Sequence, residues 1–136
     1  MPQAQIVYDP AKGPLISVEI CYPVSLCRPG ETPATIIADM LIDTGARRTH
    51  ISKSISTQLS LDKVSKVNIQ FGSQSAVVDV FIADIKIPGT GLVWRNRLFP
   101  ELPNPTQNYS GVLGRDILDL GVLQIDGVKK EITLTF

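Results

Sequence analysis

Apolar and polar positions alternate along this chain over short stretches, and glycine or proline interrupts them at nearly regular intervals. Short runs bounded by turn residues are the pattern of strands. Leu15-Ile16-Ser17-Val18-Glu19-Ile20 predicts a strand, and Pro23, Pro29, Gly30 and Pro33 mark the loop behind it. Thr35 to Ile42 predicts another, apolar from Ile36 except at Asp39, and it drives straight into Asp43-Thr44-Gly45. Thr49-His50-Ile51-Ser52 predicts a short strand, and residues 54–61 a helical turn with Ile55 and Leu59 on one face. Residues 64–71 and 76–87, rich in Val and Ile, flank the polar connector Gly72-Ser73-Gln74-Ser75, as in a hairpin. A turn at residues 88–91, a strand over Leu92-Val93-Trp94 and a Pro/Asn-rich loop over residues 100–108 follow. Gly111-Val112-Leu113 reaches Gly114, after which Arg115 and Asp116 open a short helical pattern closed by Gly121. Residues 122–125 and 131–136 predict two last strands around Asp126-Gly127. Residues 1–14 are polar and turn-rich, and are expected to be flexible or interfacial. Many short strands without βαβ alternation predict an all-β chain, and residues 1–136 read as a single domain.

Composition changes this picture little. At 43% hydrophobic and 19% charged residues, a packed core is expected and wholesale disorder is not. The formal net charge is zero, so no basic excess recruits nucleic acid or an anionic membrane. The amino terminus lacks a signal-peptide pattern, and no apolar run approaches the ~20 residues that span a bilayer. A cytoplasmic location is the expectation. Cys21 and Cys27 read as free thiols in such a chain, and no His or second Cys pair accompanies them to hold zinc. No metal or other cofactor is expected.

The candidate chemistry sits where the Thr35–Ile42 strand ends. A carboxylate at the end of a buried strand is costly unless its charge or proton is held. Thr44 brings a hydroxyl beside Asp43, and Gly45 lets backbone N–H groups approach closely. An isolated Asp-Thr-Gly reads first as a turn in which Asp43 bonds its own backbone. His50, the only histidine, has no Ser or Cys companion and reads as structural, and Trp94 reads as core packing.

Leu41-Ile42-Asp43-Thr44-Gly45-Ala46, followed by Val112-Leu113-Gly114-Arg115-Asp116-Ile117-Leu118, resembles a retropepsin-type aspartic protease. The resemblance runs from about Leu15 to Phe136 and is most specific at those two segments. It implies a closed-barrel-like acid-protease domain with one short C-terminal helix. It implies peptide-bond hydrolysis by water activated between two carboxyls that share a proton, because like charges that close cannot both ionise. The chain carries one Asp-Thr-Gly, and Ile125-Asp126-Gly127 lacks the Thr. A second half-site must then come from a second copy, which implies a C2 homodimer with Asp43 of each subunit on the axis.

By the same resemblance, Thr44 bonds across to the partner's loop, and Gly45 receives the substrate backbone, with Ala46 completing the loop. The hairpin tip, Phe71-Gly72-Ser73-Gln74-Ser75, is the flap over a peptide substrate. Leu113 and Gly114 lie against the Asp43 loop, with Arg115 and Asp116 starting the helix behind it. Residues 132–136 pair with the partner's termini. Retroviral members usually carry an acidic residue shortly after Asp-Thr-Gly-Ala that pairs with the Arg of the second motif. Arg47 and Arg48 stand there instead, which leaves Asp116 to an arginine or to local backbone and opens a role for the arginines toward acidic substrate side chains. The competing expectation is an inactive peptide-binding or dimerisation module with the same fold.

Overall fold

The structure, a computed structural model, describes residues 2–103 and 106–136, with the side chain of Phe71 excepted. Met1, and Asn104 and Pro105 of the predicted Pro/Asn-rich loop, lie outside the described residues.

In chain order the strands are β1 (Gln3–Val7), β2 (Leu15–Cys21), β3 (Thr35–Ile42), β4 (His50–Ile51), β5 (Lys63–Phe71), β6 (Gln74–Ile87), β7 (Leu92–Pro100), β8 (Gly111–Leu113), β9 (Val122–Asp126) and β10 (Glu131–Thr135). Two short helices interrupt them, α1 (Lys53–Gln58) and α2 (Arg115–Leu118), and a 3-10 turn covers Val24–Leu26. α1 is capped by Ser52, whose hydroxyl accepts from the Ile55 N–H, and Ile55 and Leu59 are buried beneath it as their spacing predicts. No helix among the described residues is long and apolar enough to cross a membrane.

The main sheet runs β4-β8-β3-β2-β6-β5, with β7 along the other edge of β6. Alternation sets its inner face. Ile16, Val18 and Ile20 of β2 and Ala38, Met40 and Ile42 of β3 point into the core, in antiparallel register Ile16↔Met40 and Val18↔Ala38. The one break in the β3 apolar run falls on the opposite face, where Asp39 Oδ1 accepts from the Ser17 hydroxyl at 2.7 Å. The expectation of a closed barrel is modified. The ladders form an open path, and only an isolated bridge between Ile51 and Glu101 joins β4 to the end of β7.

Two sequence expectations need correction. Residues 1–14, expected to be flexible or interfacial, include a strand that was not predicted: Gln3–Val7 forms β1, with Ala4 and Ile6 opposite Leu134 and Ile132 of β10. Two glutamines and turn residues nearby masked a five-residue alternation that gains its stability only from its partner. The second correction concerns the last strand. β10 lies between β1 and β9 of its own chain, so both of its edges are hydrogen-bonded within one copy. It therefore has no edge to offer a partner's termini, and the unpaired edges of this three-stranded sheet belong to β1 and β9.

Ile20 is fully buried on β2 between β3 and β6, whereas Ile37 on β3 is 62% exposed. Ile20→Ala is expected to lower unfolding free energy by about 2–5 kcal/mol and Ile37→Ala by less than about 0.5 kcal/mol. Urea titration of the two variants checks the difference.

Candidate active site

β3 delivers Asp43 through a parallel pairing with β8, in register Met40↔Gly111, Leu41↔Val112 and Ile42↔Leu113. A parallel pair needs a long connection between its strands, and here everything from β4 to β7 lies in that connection. β8 passes between β3 and antiparallel β4. Two backbone bonds then fix the end of β3: the Ile42 N–H donates to Pro14 O at 2.9 Å and the Asp43 N–H to Leu113 O at 3.1 Å.

Beyond that point the chain turns on itself. The Gly45 N–H donates to Asp43 Oδ1 at 2.8 Å, and the Ala46 N–H to the Asp43 carbonyl at 3.2 Å. A Cβ at position 45 would stand 3.1 Å from that carboxylate oxygen, so a side chain there would crowd the bond. Asp43 is half-buried, Thr44 and Gly45 are exposed, and the Thr44 hydroxyl has no hydrogen bond among the described residues. Two concavities of about 470 and 460 Å³ are lined by the β9–β10 hairpin and by β1, β2 and Pro88–Gly89, and neither is lined by the Asp43 loop. The Asp43 loop is thus partly open to solvent in one copy.

The second motif braces this loop from behind. Gly111, Val112, Leu113 and Gly114 are all buried. A Cβ at Gly114 would meet the Arg48 carbonyl carbon and oxygen at 2.5 Å each, and Ala46 O at 3.0 Å. Only a glycine fits that crossing. The Arg115 N–H donates to Ala46 O at 2.9 Å, tying the start of α2 to the residue after Gly45.

Thr49 is the residue that sequence reasoning missed. It is fully buried, and its hydroxyl donates to Asp116 Oδ1 at 2.6 Å while accepting from the Gly114 N–H at 3.1 Å. Its own N–H donates to the same Asp116 oxygen at 3.0 Å. Asp116 is therefore held by Thr49, and no arginine lies within 4.0 Å of it among the described residues. The signal in the sequence was indirect: a carboxylate in the second motif without an oppositely charged partner in the first calls for a neutral donor nearby.

His50, on β4, pairs with Val112 of β8, and its Nδ1 is buried without a hydrogen-bond partner among the described residues. Burial lowers its pKa, the Arg48 guanidinium lowers it further, and the Glu101 backbone with the Asp116 and Asp43 carboxylates partly offsets both. The β5–β6 hairpin has a two-residue turn, Gly72-Ser73, closed by the Phe71↔Gln74 pair. Gly72 takes φ +61 and Ser73 does not, which suits a turn led by glycine. Gly72, Ser73, Gln74 and Ser75 are all exposed, and no hydrogen bond among the described residues links them to the Asp43 loop. Phe71 is placed by its backbone alone.

No protein-family model matches this chain, and no curated protein matches it. Solved structures do. A retropepsin-like aspartic protease from Rickettsia conorii aligns with a TM-score of 0.64 over 97% of this chain and 89% of its own, at 14% identity. EIAV protease, solved with the inhibitor HBY-793, aligns with a TM-score of 0.56 over 89% of this chain and 100% of its own, at 24% identity. The chain has a retropepsin-like fold.

Thr49→Val keeps the shape but leaves Asp116 and the Gly114 N–H short of a partner, and is expected to cost about 1–3 kcal/mol. Thr49→Ser, which keeps the hydroxyl, is expected to cost less; denaturant titration compares them. His50 also sets a pH dependence. Its folded pKa lies below the unfolded value near 6.5, so the unfolded chain binds more protons as pH falls below about 6.5. The His50 contribution is complete above that pH and declines until the folded pKa is passed. His50→Gln is expected to flatten this part of the stability profile between about pH 7.5 and 5.5, with no other histidine to mask the change.

Proposed function

We propose that this protein is an aspartic endopeptidase in which the Asp43 carboxyls of two copies activate one water between them. The observation that carries the reading is the setting of Asp43. It follows a strand buried on one face, is held by a backbone N–H at 2.8 Å, and is only half-buried, in a loop whose next two residues are exposed. Hydrolysis without a metal or a side-chain nucleophile requires a base for the water and an acid for the carbonyl. Two adjacent carboxyls sharing one proton supply both, and their titration belongs to the pair. This chain carries a single Asp-Thr-Gly, so the second carboxyl comes from a second copy.

In such a dimer the Thr44 hydroxyl, without a partner among the described residues, bonds across the axis. The Gly45 loop receives the extended substrate backbone. The β5–β6 hairpin closes over the peptide and excludes water, with Gly72 to Ser75 at its tip. Leu113, Gly114, Arg115 and Asp116 position the loop without touching the reacting atoms. The terminal sheet docks through the free edges of β1 and β9. Val7 on β1 (78% exposed) and Val122 and Ile125 on β9 (60% and 49%) give those strands apolar surface to bury. The neighbouring structures, both proteases, support this reading through the fold.

Wild type is expected to cleave members of a mixed peptide library between about pH 3.5 and 7.5, with a rate rising faster than linearly in protein concentration. Asp43→Asn is expected to lose at least about a thousandfold in kcat. Mass spectrometry of the digests reads both. Peptide binding that persists in a dimeric protein without any cleavage would instead establish a binding module, and equal cleavage by both forms would remove Asp43 from the chemistry.

A further inference from the structure

We infer that Arg47, Arg48 and Arg115 form a cationic rim beside the Asp43 loop that selects acidic side chains in the peptide substrate. The inference rests on the protease reading for its site and on separate observations for its charge. Two backbone contacts gather the three residues. The Arg115 N–H donates to Ala46 O at 2.9 Å, so Arg115 and Arg47 both adjoin Ala46, and Gly114 packs against the Arg48 carbonyl. All three are thus anchored to the loop that carries Asp43.

None of them has a carboxylate within 4.0 Å among the described residues, where the ion pairs are Lys63 and Lys66 with Asp79, and Arg95 with Asp84. The carboxylates nearest in the chain are each engaged through one oxygen by neutral donors. Asp116 Oδ1 takes two bonds from Thr49, and Asp43 Oδ1 takes one from Gly45. Arg48 makes one long contact, Nη2 to Leu98 O at 3.5 Å, which leaves most of its five donors unused. Arg47 and Arg115 are exposed. Three arginines against the two carboxylates of Asp43 and Asp116 leave these joined loops with a cationic balance in a chain of zero net charge.

The guanidinium fork matches a carboxylate in bidentate geometry, so the complementary ligand is a Glu or Asp side chain. A second copy of the chain is the less suitable source. On its terminal sheet, Asp126 Oδ1 already accepts from Val128 and Lys129, and Glu131 accepts from Gln5. A peptide laid as a strand beside Asp43 advances about 3.3 Å per residue, within reach of an arginine side chain at positions flanking the scissile bond.

The test uses the full-length chain and pairs of peptides identical except for Glu or Gln at each position up to four residues either side of a cleaved bond. At low salt at least one position is expected to favour Glu by about five- to tenfold in kcat/KM. That ratio should shrink near 0.5 M salt and below about pH 4, where the glutamate protonates. Combined Arg47→Glu and Arg48→Glu is expected to invert the ratio, favouring Lys at the same position, and each single Arg→Gln change to move it toward one. The same peptide pairs titrated onto Asp43→Asn protein, followed by fluorescence anisotropy, read the preference without turnover. An acidic preference there in a protein that never cleaves would sink the protease reading and keep the rim. A Glu-to-Gln ratio of one throughout, in cleavage and in binding, overturns the rim. So does a ratio the Arg variants leave unchanged, or sedimentation showing that those variants come apart into monomers, since the arginines would then hold the partner.

Discussion

The structure depends on one crossing. β8 runs parallel to β3 with no side chain at Gly114, and the backbone of residues 46–48 lies in the space that a side chain would fill. Leu113 O and Ala46 O, on opposite sides of that crossing, accept from Asp43 and Arg115. A methyl group 2.5 Å from a backbone carbonyl cannot be accommodated by rotating a flexible neighbour, so the loop itself would have to shift. The position of the Asp43 carboxylate is thereby set by packed backbone, which is a stiffer support than a salt bridge between long side chains. Precision of this kind matters because misplacement of a catalytic group by an ångström is costly to rate.

Behind the crossing, polarity is resolved without a charged pair. Asp116 needs partners wherever it is screened from water, and Thr49 supplies two donors to one oxygen while its hydroxyl also serves Gly114. Bonds to a charged acceptor contribute more than neutral ones and carry no second ion to desolvate. Arg115, next in the chain to Asp116, is exposed and has no carboxylate within 4.0 Å among the described residues.

Much of this was legible in the sequence. The strands from Leu15 to Ile42, the β5–β6 hairpin and the α2 pattern could be read because each follows a local rule of alternation, turn chemistry or capping. The hairpin turn is nonetheless shorter than the 72–75 connector expected, since Gln74 and Ser75 pair within β6. β1 was not, since Gln3–Val7 earns its place only through β10, more than a hundred residues away. For the same reason the partnering of β10 went to the wrong chain: edge pairing is a non-local choice that periodicity does not encode. At the site, Asp43, Gly45 and Gly114 announced themselves by type and spacing. Thr49 did not, because a buried threonine in a short strand is common, and its role emerges only when Asp116 arrives beside it from the far end of the connection.

The central claim is that the working site needs an Asp43 from each of two copies. Two copies of the chain joined by a flexible linker, with Asp43→Asn in only one, test it directly at concentrations low enough to keep the tandem chains apart. The account predicts that this half-substituted tandem loses nearly all peptide cleavage relative to the tandem with both aspartates, while remaining folded. Retention of about half the activity would mean that each copy works alone, and would contradict the shared site.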